Sequence, residues 1–524
     1  MEMPFSNVYV TEVHTMRVLR RFIINGLIMT VTSLALRTLG VAFNAFVSRR
    51  LGADGMGLFT LIMSVYGLSV TVAASGVNLA ATRMCAEALG RGDERAVRAS
   101  LSRCLIYASL CGVGACLLLF FGADFVAESW LGDARCTRSL RLLAVSLPFI
   151  AASNVLHGYF TAVRKVAKSA VTQIFEQLFK VGVTVWALLY IVPDGIEYAC
   201  MALVGGGALA ETASFTMAFI LYLADRRKKT SANVPREVGR RMWRELFGIT
   251  VPVAAAAYVR SGLSTLEHML IPRGLRKNPL TADTALATYG VLCGMVMPVI
   301  MFPTALLYSF TGLLIPEFAE ADAKEESGHI RYMVSRALSF TLIFSVGCSA
   351  LMSLFADELG MLIYSSAAAG EFIRVMAPLI PVMYLDHAVD AILKGLGEQI
   401  YCMKVNIFDA AMCTLLVYLL CPRIGIWGYI LTIYIAELAN ASLSIRRLTK
   451  LSGFTIKLGS LAKPALCALS SAAVLRLLGI GTLAAWLPTA CAAFLAAGVY
   501  FVFLLGTGTL TKSDVRWALG IARR

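Results

Sequence analysis

The chain has 524 residues, 58% of them hydrophobic and 15% charged, with a mean hydropathy of +0.74. That balance excludes an ordinary soluble domain, because many apolar runs are long enough to cross a bilayer core of about 30 Å. The formal charge of +15 raises nucleic acid as a partner, but the basic residues cluster in loops on alternate sides of the apolar runs, as in a membrane protein.

In chain order, the first twenty residues lack the apolar core of a cleaved signal peptide, so the amino terminus is expected to be retained. Hydropathy predicts an all-α integral membrane protein with 14 transmembrane helices. They fall at about 22–48, 55–88, 98–122, 138–163, 168–192, 197–224, 243–271, 283–314, 331–356, 368–394, 401–421, 425–447, 459–480 and 483–507. With a cytoplasmic amino terminus, the inner loops collect Arg91, Arg95, Arg98, Arg164, Lys165, Lys168, the run Arg226–Lys229, Arg446, Arg447, Lys450 and the terminal Arg523 and Arg524. Outer loops keep few, among them Arg135, Arg138, Arg273, Arg276 and Arg423. This bias places both termini in the cytoplasm of a multi-pass plasma-membrane protein. The thirteen cysteines are scattered singly without a Cys-x-x-Cys motif, and read as small apolar fillers.

An internal repeat organises these spans. Ser102-Arg103 aligns with Ser335-Arg336, Ala123-Asp124 with Ala356-Asp357, Pro148 with Pro381, and Gln173-Ile174-Phe175-Glu176 with Asn406-Ile407-Phe408-Asp409. Every pair lies 233 positions apart, as residue numbers 103 and 336 give directly, and Gly57 with Gly290 extends the register backwards. Earlier the offset is 223 (Arg37-Thr38 with Arg260-Ser261), and late in each half it is 226 (Ala210-Glu211 with Ala436-Glu437). Two parallel six-helix repeats follow, with a C-terminal helix pair outside them. The domain reading is an N-lobe at 1–225, a basic cytoplasmic linker at 226–242, a C-lobe at 243–448, and the last two spans with a cytoplasmic tail at 449–524.

The repeat also sorts the charges inside spans: Arg37/Arg260, Glu176/Asp409 and Glu211/Glu437 occupy equivalent places. Centring a guanidinium in a bilayer costs about 2.5–3.5 kcal/mol even on insertion scales. One reading is that these groups hold each lobe together through internal ion pairs. Lys180, four residues after Glu176, suits that reading, and Glu211 and Glu437 suit bonds to hydroxyls or amides. Neither arginine has an acid three or four residues away, which favours a wet cavity and an anionic ligand. Glu267 lies seven residues after Arg260 and Asn44 seven after Arg37, two turns along one stripe, as on a cavity wall. Arg83 and Glu87 suit a solvated bridge, Asp386, Asp390 and Lys394 a wet helical face, and His157 and His268 satisfied core groups.

Span 1 runs into Leu51-Gly52-Ala53-Asp54-Gly55-Met56-Gly57, and span 2 carries Ala73-Ala74-Ser75-Gly76-Val77-Asn78-Leu79-Ala80-Ala81-Thr82-Arg83. With the two-times-six-plus-two plan, these stretches resemble the polysaccharide-transporter branch of the multidrug/oligosaccharidyl-lipid/polysaccharide flippase superfamily. Within it the likeness is to stage V sporulation protein B-like, lipid II flippase-like members. The resemblance implies an alternating-access carrier for an undecaprenyl-pyrophosphate-linked sugar, with a cavity lined by spans 1, 2, 7 and 8. It assigns the substrate to Arg37 and Arg260, with Asn44, Glu267, Asn78 and Arg83 as further candidates. It also implies Na+ or H+ coupling, for which Asn406, Asp409 and Thr432 in spans 11 and 12 are candidates, together with Glu176, Glu211 and Glu437. The expected partners are a lipid-linked anionic sugar and membrane lipids, with no cofactor, nucleic acid or nucleotide. No Gly-x4-Gly-Lys-Ser/Thr run is present. A cation-coupled multidrug exporter and a non-transporting envelope scaffold are the alternatives. A membrane enzyme fits poorly, because the outer loops are only about four to fifteen residues long.

Overall fold

The computed structural model describes residues 6–190, 195–225, 236–278, 284–454, 458–477 and 489–509. Arg523, Arg524, most of the basic linker and the turn between the last two predicted spans lie outside them. The described chain is helical. Eight helices are long and apolar enough to cross a membrane, or nine if a bent pair is one span.

Several predicted spans contain a break that hydropathy does not register. Helix α1 (Ser6–Ala74) runs through predicted span 1 and kinks at Gly52, whose φ of 69° suits a residue without a Cβ. Predicted span 2 stops at Ala74 and resumes as α2 (Val77–Gly90) after Gly76, at φ 75°. Helix α3 (Glu94–Phe125) starts where the Asp93 carboxylate accepts from the Arg95 and Ala96 amides, both at 2.9 Å. Predicted span 4 is a pair, α4 (Cys136–Ala144) and α5 (Leu147–Ala162), bent by 43° just before Pro148. α6 (Val166–Tyr190), α7 (Ile196–Asp225) and α8 (Arg236–Lys277) follow.

Predicted span 8 is the most interrupted. It comprises α9 (Ala285–Tyr289), a π-helical stretch Gly290–Val296, α10 (Met297–Met301) and α11 (Thr304–Ala323), with Pro303 at the last junction. A proline lacks the donor for one ladder bond, and π-helical turns mark sites where a helix is forced off its regular pitch. Then come α12 (Ser327–Leu354), α13 (Ala356–Tyr364), α14 (Ala367–Met376), α15 (Ile380–Gly395), α16 (Gln399–Ile424), α17 (Ile426–Ser452), α18 (Leu458–Leu477) and α19 (Thr489–Gly506). The junction of α14 and α15 is a single 3-10 turn before Pro381, the counterpart of the bend at Pro148.

The chain divides into two compact units. One comprises Met1–Val41, Val296–Asp409 and Ile433–Arg524, the other Ala42–Met295 with Ala410–Thr432. Within the first, α12 packs on α15 and α18, and Gly347 admits the Tyr500 ring edge-on. Within the second, small residues let backbones approach closely. A Cβ on Gly112 would stand 2.7 Å from Pro148 Cα, and one on Gly158 2.6 Å from the Asn78 carbonyl.

Candidate substrate and coupling residues

Arg37 belongs to the first unit, where it closes the break between α10 and α11. The 3-10 bonds around Pro303 leave the Met301 carbonyl outside the helical ladder. Arg37 Nη1 donates to that carbonyl at 2.5 Å and to Thr304 Oγ1 at 2.6 Å, while Thr304 Oγ1 also donates to Met301. The Tyr384 hydroxyl takes the neighbouring Ile300 carbonyl at 2.6 Å. The guanidinium also lies 5.3 Å from the centre of the Tyr308 ring, which is tilted against His387. These acceptors are neutral. Among the described residues Arg37 has no carboxylate partner.

The same unit gathers carboxylates from three helices. Asp386 on α15 is buried, at 7% exposure; Asn440 of α17 donates to its Oδ2 at 3.2 Å, and Ser444 bonds it as well. Its Oδ1 has no hydrogen-bond partner. Asp409 of α16 and Glu437 of α17 lie within electrostatic range of it and of each other. The expected wet face thus breaks down at its first member: Asp390 pairs with Lys394 at the surface, whereas Asp386 turns into protein. A four-residue recurrence on one helix carries no information about what a second helix brings to it. Asn406 bonds back to its own helix at Cys402, 2.8 Å.

In the second unit, Arg260 on α8 is exposed and has no hydrogen-bond or ion-pair partner among the described residues. Asn44 donates to the Gly294 carbonyl at 3.0 Å, within the π-helical stretch. Glu267 sits in electrostatic range of Tyr289, Cys293 and Tyr429, both tyrosines being buried. His268 meets the Tyr289 hydroxyl at 3.0 Å, and His157 meets Ser169 at 2.7 Å, so both histidines are satisfied. Asn78, exposed on α2, donates to the Asn154 carbonyl at 3.1 Å. Arg83 pairs with Glu87 at 3.0 Å, both side chains largely in the open. Thr432 is fully buried and bonds to Gly428 of its own helix at 2.8 Å.

The acid pair of this unit is compensated. Glu176 accepts from Ser214 at 2.8 Å, and the predicted close ion pair with Lys180 is not formed. Lys180 instead lies in electrostatic range of both Glu176 and Glu211. A hydroxyl from α7 has taken the place that spacing along α6 suggested for the lysine. Lys180 has Cys413 as its counterpart 233 positions on, so the first unit's acids lack the equivalent cation. Among the described residues no three His, Cys, Asp or Glu side chains stand close enough to hold a metal ion.

Long apolar helices, broken at several points and holding arginines without carboxylate partners, define a multi-pass membrane protein. Residues 22–321 match the family model described as polysaccharide biosynthesis protein, and the chain belongs to that family. Residues 278–420 also match the MatE model. The chain is 24% identical over 508 residues to Stage V sporulation protein B of Bacillus subtilis (strain 168), covering 94% of this chain and 97% of that relative. It is 20% identical over 399 residues to Lipid II flippase MurJ of the same organism, covering 71% and 72%. Its fold resembles that of an inward-facing MATE family multidrug resistance transporter of the MOP superfamily, at a TM-score of 0.64 and 14% identity over 82% of this chain and 100% of the other. It resembles Lipid II flippase MurJ in an inward closed conformation equally well, at 0.64 and 12% identity over 91% and 98%.

Proposed function

We propose that the protein is an alternating-access flippase carrying an undecaprenyl-pyrophosphate-linked oligosaccharide, lipid II-like or a polysaccharide precursor, from the inner to the outer leaflet. It would serve cell-envelope or spore-cortex synthesis. In this reading 14 transmembrane helices form two parallel six-helix repeats and a C-terminal pair, with both termini cytoplasmic. The protein is then a carrier and not an enzyme.

The observation that carries the proposal is that Arg37 and Arg260 sit within apolar stretches without a carboxylate partner among the described residues. A charge that cannot be shed and is not neutralised by protein is suited to an anionic passenger. Guanidinium groups bind phosphate oxygens bidentately, and Arg37 uses only Nη1 for its bonds to the helix break. An inside-negative potential assists outward movement of such a lipid by about 2.3 kcal/mol per charge per 100 mV, so no nucleotide is needed. The names of the relatives, among them a lipid II flippase and a sporulation protein, support the substrate class.

The test is reconstitution in proteoliposomes with a fluorescent undecaprenyl-pyrophosphate sugar. The wild-type chain moves it between leaflets and Arg260→Ala does not; equal flipping by both overturns the proposal. A cation-coupled drug exporter is the second reading, favoured by the MatE match and by the buried carboxylate Asp386. Drug resistance conferred by the wild type and lost in Asp386→Asn would select it.

A further inference from the structure

At one end of the second unit, a cavity of about 370 Å³ opens between the ends of α2, α3, α5 and α7. Val97, Leu101 and Val163 contribute its apolar lining, and Tyr159 and Tyr222, edge to face at 5.3 Å, form an aromatic wall. Its rim carries Arg98, Lys165, Glu94 and Asp225. Asp225 is shared: Lys165 contacts it, Lys168 approaches it at 3.1 Å, and the Tyr159 hydroxyl donates to it at 3.4 Å. One carboxylate thus answers two ammonium groups, and the rim keeps a positive excess.

The sequence repeat supplies an internal control. Val97, Leu101, Tyr159 and Val163 correspond, 233 positions on, to Ile330, Val334, Ile392 and Leu396, and Tyr222 corresponds to Leu448 at the later offset of 226. In the first unit Ile330, Val334, Ile392 and Leu448 belong to one solid apolar cluster, closed by Phe318 and Met333, with Leu396 packed against it. Lys165 has Glu398 as its counterpart, held by Arg447 at 2.5 Å. The same positions therefore make a sealed core in one copy and an open basic cavity in the other. Packing does not require the opening.

We propose that this cavity seats the phosphate headgroup of an acidic phospholipid of the surrounding bilayer. Helix ends place it at interface depth, where tyrosines prefer to sit, and apolar walls below a cationic rim match the two parts of an amphiphile. Basic pockets between helix ends are suited to anionic headgroups, each cation there contributing about a fivefold gain.

Native mass spectrometry of the full-length protein tests this, with phosphatidylglycerol, phosphatidylethanolamine and undecaprenyl phosphate offered in turn. The wild type retains phosphatidylglycerol over phosphatidylethanolamine. Lys165→Glu and the milder Lys165→Gln reduce that retention by about fivefold or more. So does the filling variant Tyr159→Ile/Tyr222→Leu, whose thermal unfolding is followed in parallel, while Arg260→Ala keeps it. Retention unchanged in both Lys165 variants, or a preference for undecaprenyl phosphate over phosphatidylglycerol, overturns the assignment. Neither result bears on flipping, which Arg260→Ala reports separately.

Discussion

Gly57 and Gly290 meet backbone to backbone: a Cβ on Gly290 would stand 2.5 Å from the Gly57 nitrogen and 2.2 Å from the Ala53 carbonyl. The two are equivalents in the repeat, 233 positions apart. A Cβ on Gly57 would in turn lie 2.2 Å from the Leu286 carbonyl. Because the obstacles are backbone atoms, neither side can yield by a rotamer change. Gly57→Ala and Gly290→Ala are each expected to destabilise the protein by about 2 kcal/mol or more. Thermal unfolding in detergent checks this; Gly67→Ala, where a Cβ meets nothing within 4 Å, is the control.

Arg37→Ala is expected to lower both stability and transport. It removes a charged donor from the Met301 carbonyl and from Thr304, a loss of about 1.5–3 kcal/mol. Arg37→Lys keeps the charge but not the planar fork, so it is expected to recover stability more fully than transport. Unfolding midpoints and flipping rates measured on the same preparations separate the two effects.

Arg260→Ala is expected to behave differently. With no partner among the described residues, its loss leaves the fold within about 0.5 kcal/mol of wild type. A variant that unfolds normally and does not flip places Arg260 at the passenger; a variant that unfolds early assigns it a structural duty.

The acid clusters give a paired prediction. Lys180→Met leaves Glu176 and Glu211 in one another's field without their shared cation, and is expected to destabilise by about 1–3 kcal/mol. Asp386→Asn replaces a buried carboxylate whose Oδ1 is unpartnered, and is expected to be neutral or stabilising. Unfolding of the two variants in opposite directions, read by differential scanning fluorimetry, is the expected outcome.

Hydropathy found the apolar stretches because burial in lipid is written residue by residue. It missed their interruptions, since a run such as 283–314 stays apolar whether or not the ladder breaks inside it. The clues were there: Gly76 in the small-residue run, and Pro298 and Pro303 within one span. Side-chain partners were legible only when they lay on one helix. Arg83 with Glu87 and Asp390 with Lys394 formed as spacing suggested. Glu176 chose Ser214 and Asp386 chose Asn440, both reached across helices, where no spacing rule operates. The bonds of Arg37 were hidden for the same reason: they depend on the break at Pro303, which exposes acceptors an intact helix would have used.

The π-helical stretch Gly290–Val296 carries a geometric corollary. Its numbered counterpart, residues 57–63, lies in regular helix, while Val126–Leu131 is wound wide where 359–364 is regular. Each surplus residue in a turn rotates everything beyond it by roughly 100° about the axis. The duplicated halves can therefore agree letter for letter and still aim matching side chains in different directions, so that twins in the primary structure have become free to take up separate employment.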